Sequence, residues 1–428
     1  MIHRCIVLLC LLISFGDNLK AQGHTDIVVD CNGRGDYLTL GEAVDALPMY
    51  PYQRTVIFVK NGIYNEKIRI NQNYITIRGE SRDSTVIRYY QPREDWTANK
   101  DYIGSAVLNL YGDDFVLENL TVENSQPETG IHAFAVFGLS NRIVIVHCRI
   151  LSKGGDTVSL WNYKRGMYYH SDCIFTGSVD FICPRGWCFV RDSKFYQNRK
   201  TATLWHDGHY DNDQKFVIVN SDFDGVPGFQ LGRHHYEAQF YLLNCRFSGN
   251  MADQPIYRVL YDDPSRNNPY FEGDRYYFYH CRKEGKQFKW YSDNLDQADG
   301  NPAPQQITPL WTFNGSWNPE SVDPVTVVAH QINGKELILT FSQIVTVRGR
   351  PEFQNTQGRT FQIVMKRFND LNRLSFYSDS EIDETDLTGD MTLFTGDIIA
   401  SQAGVHERSI GTIFRIQQEN ARSSSTRK

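Results

Sequence analysis

Most of the chain reads as short runs rich in Val, Ile, Phe and Tyr, broken every few residues by Gly, Asn and Asp. That pattern predicts many short strands. Helical periodicity is scarce. One short helix is expected at Leu40 to Leu47, where Ala43, Val44 and Leu47 share a face.

A phrase recurs within the strand-like runs. A small or polar residue is followed by Cys, Ser or Leu, then any residue, then Ile, Phe or Val. It appears as Asn119-Leu120-Thr121-Val122, His147-Cys148-Arg149-Ile150, Asp172-Cys173-Ile174-Phe175 and Asp192-Ser193-Lys194-Phe195. It returns at Ser221-Asp222-Phe223, Asn244-Cys245-Arg246-Phe247 and His280-Cys281-Arg282. The spacing is mostly 20 to 28 residues. One strand phrase per repeat at that period marks a solenoid of stacked β coils, because a lone coil leaves its backbone groups unpaired. The cysteines are then expected to line up inside it. A β-sandwich of irregular hairpins explains the spacing less well.

The pattern changes after Asn301-Pro302-Ala303-Pro304 and Trp317-Asn318-Pro319-Glu320, which read as trailing coil and linker. From about Val325 hairpins take over. Ile332-Asn333-Gly334-Lys335 carries an Asn-Gly pair, the signature of a type I′ turn, and Leu337, Leu339 and Phe341 alternate beyond it. About 95 residues of alternating strands predict a small sandwich. The fold class expected is all-β: a right-handed parallel β-helix over residues 24–320, then a sandwich over 322–416, with a disordered tail over 417–428.

The first segment changes the picture of location. Arg4 precedes an apolar run of 11 residues from Cys5 to Phe15, and a polar stretch leads to Ala21. This reads as a secretory signal over residues 1–21, and the run is too short to span a bilayer. The mature protein is expected to be exported, with no membrane span. Seven of the nine cysteines would remain. An odd number rules out a fully paired disulfide framework; Cys183 and Cys188 could pair or be buried as small apolar residues.

Composition excludes two classes. With 41% hydrophobic residues the chain is not globally disordered. With 44 basic against 50 acidic residues and a net charge of −6, it has no electrostatic case for a nucleic-acid partner. The charge is uneven, however. Residues 153 to 200 carry eight Lys or Arg against four Asp, about +4.

The solenoid half resembles the pectin methylesterase family, carbohydrate esterase family 8, over roughly residues 26 to 320. Its opening segment, Ile27-Val28-Val29-Asp30 through Gly35-Asp36-Tyr37, and Gly62-Ile63-Tyr64-Asn65-Glu66 look like the family's opening signatures. Gly112-Asp113-Asp114-Phe115 is also familial, and the resemblance places this acidic pair in a structural turn. Four motifs follow in order: His132-Ala133-Phe134-Ala135-Val136, Gly155-Asp156-Thr157-Val158, Asp180-Phe181-Ile182-Cys183 with Gly186 displaced, and Leu231-Gly232-Arg233-His234-His235. Where the family has two glutamines this chain has His132 and Gly155, and where it has Pro-Trp after the arginine this chain has two histidines. The 24-residue step from Asp156 to Asp180 is about three longer than the family's, which an extended turn at Lys164-Arg165-Gly166 would absorb.

The resemblance implies hydrolysis of methyl esters of galacturonate in pectin. Asp180 is then the nucleophile, Asp156 the general acid and base, and Arg233 the cation that keeps Asp180 ionised. His132 becomes the oxyanion donor. No Gly-x-Ser-x-Gly elbow competes for the role. Trp161, Trp187, Trp205, His206 and His235 are expected to contact sugar, and Tyr168 and Tyr169 to alternate in and out. The histidines at 206, 209, 234 and 235 are read as groove lining. No metal or cofactor is implied. The partner expected is a pectic polysaccharide and the state a monomer. Two rival readings remain: a β-helix glycosidase or lyase, and a pectin-binding protein without turnover. The sandwich resembles bacterial immunoglobulin-like modules and is expected to brace the esterase.

Overall fold

A computed structural model describes residues 26–49, 54–207, 211–364, 366 and 371–416. The expected signal segment, the expected disordered tail and His209 lie outside the described residues.

The solenoid has three parallel sheets of 10, 9 and 8 strands. The chain visits them in a fixed order. Phe115–Glu118 lies in the first sheet, Thr121–Asn124 in the second and Phe134–Gly138 in the third. Ile143–Val146 then returns to the first and pairs in parallel with Phe115–Glu118. Each strand is three to five residues long over most of the stack, so one side of the triangular coil is short and its neighbours in the ladder come from the coils above and below.

The recurring phrase marks the corner between the first and second sheets. Its leading residues, Asn119, His147, Asp172, Asp192, Asn220, Asn244 and His280, all have positive φ, between 49° and 58°. Asn, Asp and His are enriched there because the left-handed region penalises them least among residues with a Cβ. The next residue, Leu120, Cys148, Cys173, Ser193, Ser221, Cys245 or Cys281, turns inward and is at most 2% exposed. The interior cysteine column is therefore real at four coils. Cys31 is exposed, and Cys183 and Cys188 are both free and buried, at 4% and 0% exposure.

Inside the second sheet, Phe175, Phe195, Phe223 and Phe247 stack, with ring centroids 5.5, 4.4 and 5.5 Å apart. Phe195 is in the middle and 1% exposed. Replacing it with Ala opens a cavity between two fixed coils and is expected to cost about 3–5 kcal/mol. Urea denaturation would show this as a lower midpoint at unchanged slope.

The helix Leu40–Asp45 forms as expected and is opened by a capping box between Thr39 and Glu42. The acidic pair near 113 is structural: Asp114 is 2% exposed, at φ 62°, and takes two hydrogen bonds from Arg142 at 2.7 and 2.8 Å. Tyr168 and Tyr169 do point to opposite faces, Tyr168 into the solenoid and Tyr169 outward, yet both are buried. The outer face of the first sheet is covered by the chain that follows the last coil. Leu295, Ile307, Phe313 and Trp317 pack there on Tyr169, Phe189, Val217 and Tyr241.

Beyond the solenoid, the described residues form one antiparallel sheet of seven strands, in the order 327–333, 336–341, 373–377, 360–364, 345–354, 390–400 and 413–415. It folds around its own core of Leu337, Leu339, Phe341, Phe353, Phe361, Phe376 and Ile398, as a small β-sandwich. The hairpin at Asn333-Gly334 is present, with a different turn. The paired ends are Asn333 and Glu336, so the central residues are Gly334 and Lys335, and only Gly334 has positive φ (65°). That is the II′ pattern rather than I′. The sandwich is tied to the solenoid. Arg54 donates to the Ser401 carbonyl at 2.8 Å, the Ala403 N–H to Asp114 at 3.0 Å, and the Trp317 indole to the Ala403 carbonyl at 2.8 Å. No helix among the described residues is long and apolar enough to cross a membrane.

Candidate active site

Asp156 and Asp180 occupy one position in successive coils. Each lies two residues before a third-sheet strand, and those strands are in register, with Val158 opposite Ile182. Both take the left-handed conformation, at φ 55° and 47°. The Asp156 N–H donates to the Val179 carbonyl at 2.8 Å, and the Asp180 N–H to the Ala202 carbonyl at 2.9 Å. The ladder thus holds the two backbones about 4.8 Å apart. The extended turn expected before Asp180 is present at residues 163–165, closed by a Gly166 N–H to Asn162 carbonyl bond of 2.7 Å.

The two carboxyls differ in their partners. Arg233 comes from the strand Gln230–His234 and grips Asp180 with both ends of its fork, Nε to Oδ1 at 2.9 Å and Nη2 to Oδ2 at 2.7 Å. Burial pushes the Asp180 pKa up, and the Arg233 bonds oppose that rise. Asp156 has no such partner. Burial first, and then the charge of Asp180, push its pKa up to about 8. Asp156 therefore keeps its proton at neutral pH, while the Arg233 fork stabilises the charged form of Asp180.

His132 is the third member. Its Nε2 lies 3.8 Å from Asp156 Oδ2, beyond hydrogen-bond reach. Burial and then the charge of Arg93 lower its pKa, so it is neutral at neutral pH. It bridges Gly155 in the ladder, and a Cβ at Gly155 would lie 3.5 Å from the ring and 3.1 Å from Val179. The imidazole thus stands beside the space that a side chain at 155 would take.

Two further cations stand at the site that the motif reading did not single out. Arg93 begins the short helix Arg93–Ala98, inserted between the second and third sheets, and its N–H donates to the His132 carbonyl at 2.8 Å. Its guanidinium lies 5.7 Å from the Phe134 ring and 5.8 Å from Trp161. Arg185 lies 4.5 Å from the Trp161 ring centre and 3.9 Å from the Asp207 carboxylate. Both hold the Asp156 pKa below where burial alone would put it. The signal for Arg185 was present as the residue that displaces Gly186. Arg93 carried none, since it joins the site from an inserted helix 39 residues before His132.

The sugar-contact candidates divide. Trp205 pairs with Arg233 in the ladder, lies 5.7 Å from its guanidinium, and meets His235 edge-on at 4.5 Å. His235 also bonds Tyr261 at 3.1 Å. Trp161 is beside the dyad, but Arg185 occupies space over its ring. Two expectations are corrected. His206 is 0% exposed, shares its ring nitrogens with the carbonyls of Pro184 and Gln214, and cannot touch a polymer. Trp187 points out of the first sheet, not the third. It packs in the covered outer cluster and its indole faces Asp213 at 3.4 Å.

Residues 26–229 match the family model described as Pectinesterase. Over those residues the solenoid is similar to the pectinesterase family. Among relatives, probable pectinesterase 67 of Arabidopsis thaliana is 26% identical over 228 residues, covering 50% of this chain and 63% of its own. Pectinesterase 31 of the same plant is 34% identical over 165 residues, covering 36% of this chain and 50% of its own. The chain thus spans between half and two thirds of the length of these two curated relatives. Among solved structures, pectin methylesterase PemA from Erwinia chrysanthemi aligns with a TM-score of 0.56 at 20% identity, covering 69% of this chain and 99% of its own. The enzyme from carrot aligns at 0.56 and 22% identity, covering 69% and 95%. These structural likenesses establish the parallel β-helix. The sandwich lies beyond the segment matched by the pectinesterase model.

Proposed function

We propose that this protein is an exported esterase that removes methyl groups from galacturonate in pectin, releasing methanol. The observation that carries the reading is the stacked pair itself, with Asp180 gripped by the Arg233 fork and Asp156, one coil away, buried without such a cation, its pKa pushed up to about 8.

The Asp180 carboxylate attacks the ester carbonyl. Negative charge develops on the carbonyl oxygen, where a neutral His132 donates a hydrogen bond. Asp156 gives its proton to the departing methoxide, which leaves as methanol, and an acyl-enzyme remains on Asp180. Asp156, now a carboxylate, takes a proton from water as the water attacks the acyl carbon. Cleavage frees the sugar's carboxyl group, which loses its own proton to solvent, and restores ionised Asp180 and protonated Asp156. Trp205 and His235 offer the sugar contacts. The sandwich, sewn to the solenoid through Arg54 and Trp317, serves as a brace; its resemblance to immunoglobulin-like modules is part of this reading, as is the secretory role of residues 1–21.

The test is methanol release from highly methylated homogalacturonan and from more complex pectins. Methanol without new chain ends is the result expected. New reducing ends or unsaturated products without methanol would favour a glycosidase or lyase, and binding without any product a lectin-like role.

A further inference from the structure

The seam between the sandwich and the solenoid holds charge that the ester chemistry does not use. Arg54 stands just before the first-sheet strand Thr55–Val59 and is 6% exposed; Arg408, from the sandwich, is 9% exposed. An arginine keeps its charge in any protein environment, and a buried charge is normally matched by an opposite one. These two are not. Arg54 donates to Thr76 Oγ1 at 3.2 Å and to the Ser401 carbonyl at 2.8 Å. Arg408 donates to Gln343 Oε1 at 2.8 Å and to the Gln402 carbonyl at 3.4 Å. All four acceptors are neutral. The surrounding carboxylates are committed elsewhere: Asp114 to Arg142, Glu118 to Arg78 and Glu407 to Arg348.

Both arginines line one cavity of about 40 Å³, room for about three waters. Its floor is the outer face of the first sheet, where Val56, Thr76 and Val116 lie in register. The sandwich supplies the wall, and half-buried Gln402 and Gly404 with exposed His406 leave its mouth open to solvent. Burial is the largest influence on both guanidiniums and lowers their pKa values; Asp114 and Glu407 offset this only in part at Arg54, as Asp323 does at Arg408. The charge of Arg408 lowers Arg54 further. The ion-paired Arg142 and Arg233 are raised instead. The cavity thus holds two cations that repel each other, with space between the units for an anion.

We infer that this cavity binds a small oxyanion, a phosphate, sulfate or carboxylate group, between Arg54 of the solenoid and Arg408 of the sandwich. The planar forks of the two side chains suit paired oxygens. The Thr76 hydroxyl accepts from Arg54 and has its own proton left to donate. Because one arginine comes from each unit, the bound anion fastens the sandwich to the solenoid. The site lies on the first sheet and the aspartate pair beside the third, so the inference stands apart from the esterase reading.

The test uses the full-length protein dialysed into chloride buffer. Inorganic phosphate and, separately, acetate are titrated calorimetrically at constant ionic strength, with melting curves at each concentration. At least one of them is expected to bind saturably below about 10 mM, and the melting temperature to rise along the same saturation curve. The general strengthening of burial by phosphate does not saturate in this way. Tighter phosphate assigns the site to a tetrahedral oxyanion and tighter acetate to a carboxylate; either supports it. Arg54→Gln and Arg408→Gln are each expected to weaken the anion at least about 10-fold, the scale of a charge-assisted hydrogen bond. Arg246→Gln, at an exposed pair on the second sheet, is expected to leave it unchanged. Absence of saturable binding by both anions would overturn the site, as would undiminished affinity in both Gln variants. A purely structural role for the arginines predicts the same loss of melting temperature with and without anion, and that result would overturn it too. Where a Gln variant does not fold, Arg54→Lys or Arg408→Lys, which keeps the charge but loses the fork, is read by the same affinity ratio. Methanol release decides the esterase reading separately.

Discussion

Asp180→Asn is expected to release no measurable methanol, a loss of at least about 10⁴-fold, while remaining folded. The amide has the shape of the carboxylate but cannot form the acyl bond, and removing a covalent nucleophile leaves only the rate supplied by the rest of the site. Arg233 would lose its charged partner, yet its side chain is 28% exposed and can be solvated, so the melting temperature is expected to move by only a few degrees. Methanol release measured beside a melting curve checks both. Undiminished turnover in a folded Asp180→Asn protein would remove the aspartate from the nucleophile's role.

Asp156→Asn is expected to lose activity by about 10²–10⁴-fold, the worth of a general acid and base, and to gain stability. The sign follows from linkage. The folded pKa is raised, to about 8, above the ordinary carboxylate value. The folded state therefore keeps a proton that the unfolded chain releases, and stability drains away as pH climbs from about 4 to about 8. An amide at 156 has no proton to lose. Its advantage over the native protein is expected to be small at pH 4 and to reach a few kcal/mol near pH 8. Denaturation midpoints across that range would show it, and a constant difference would contradict it. Activity of the native protein follows the same proton: it falls as pH rises through about 8, when Asp156 ionises, and falls on the acid side when Asp180 is protonated.

Much of this was legible in the sequence because the solenoid repeats its requirements. Each corner needs one residue tolerant of positive φ and one small inward residue, and the phrases at 119, 147, 172, 192, 244 and 280 state that need outright. The four motifs placed His132, Asp156, Asp180 and Arg233, and the structure gathers them. What failed was the assignment of faces. Leu204 points inward, so the two-residue period already put His206 inward with it. Cys188 and Val190 point inward in the first sheet, which sends Trp187 to the opposite face, far round the coil from the dyad. Arg93 was hidden for another reason: it arrives from an inserted helix, and nothing local to it announces a destination. The Asn-Gly pair gave the hairpin but the wrong turn, because the strand pairing begins at Asn333 and moves the glycine to the first central position.

The ladder between Asp156 and Asp180 acts as a ruler. Their separation is fixed by backbone hydrogen bonds between neighbouring coils, not by the side chains around them or the number of residues on the way. The chain between them can lengthen at a corner, as it does at residues 163–165, without changing the distance at which the two carboxyls stand. Such a scaffold lets the walls of its groove vary freely in length and charge while the reacting pair keeps its spacing. Substrate preference can then drift by loop exchange alone, and an engineer could graft new corners beside this pair without retuning it.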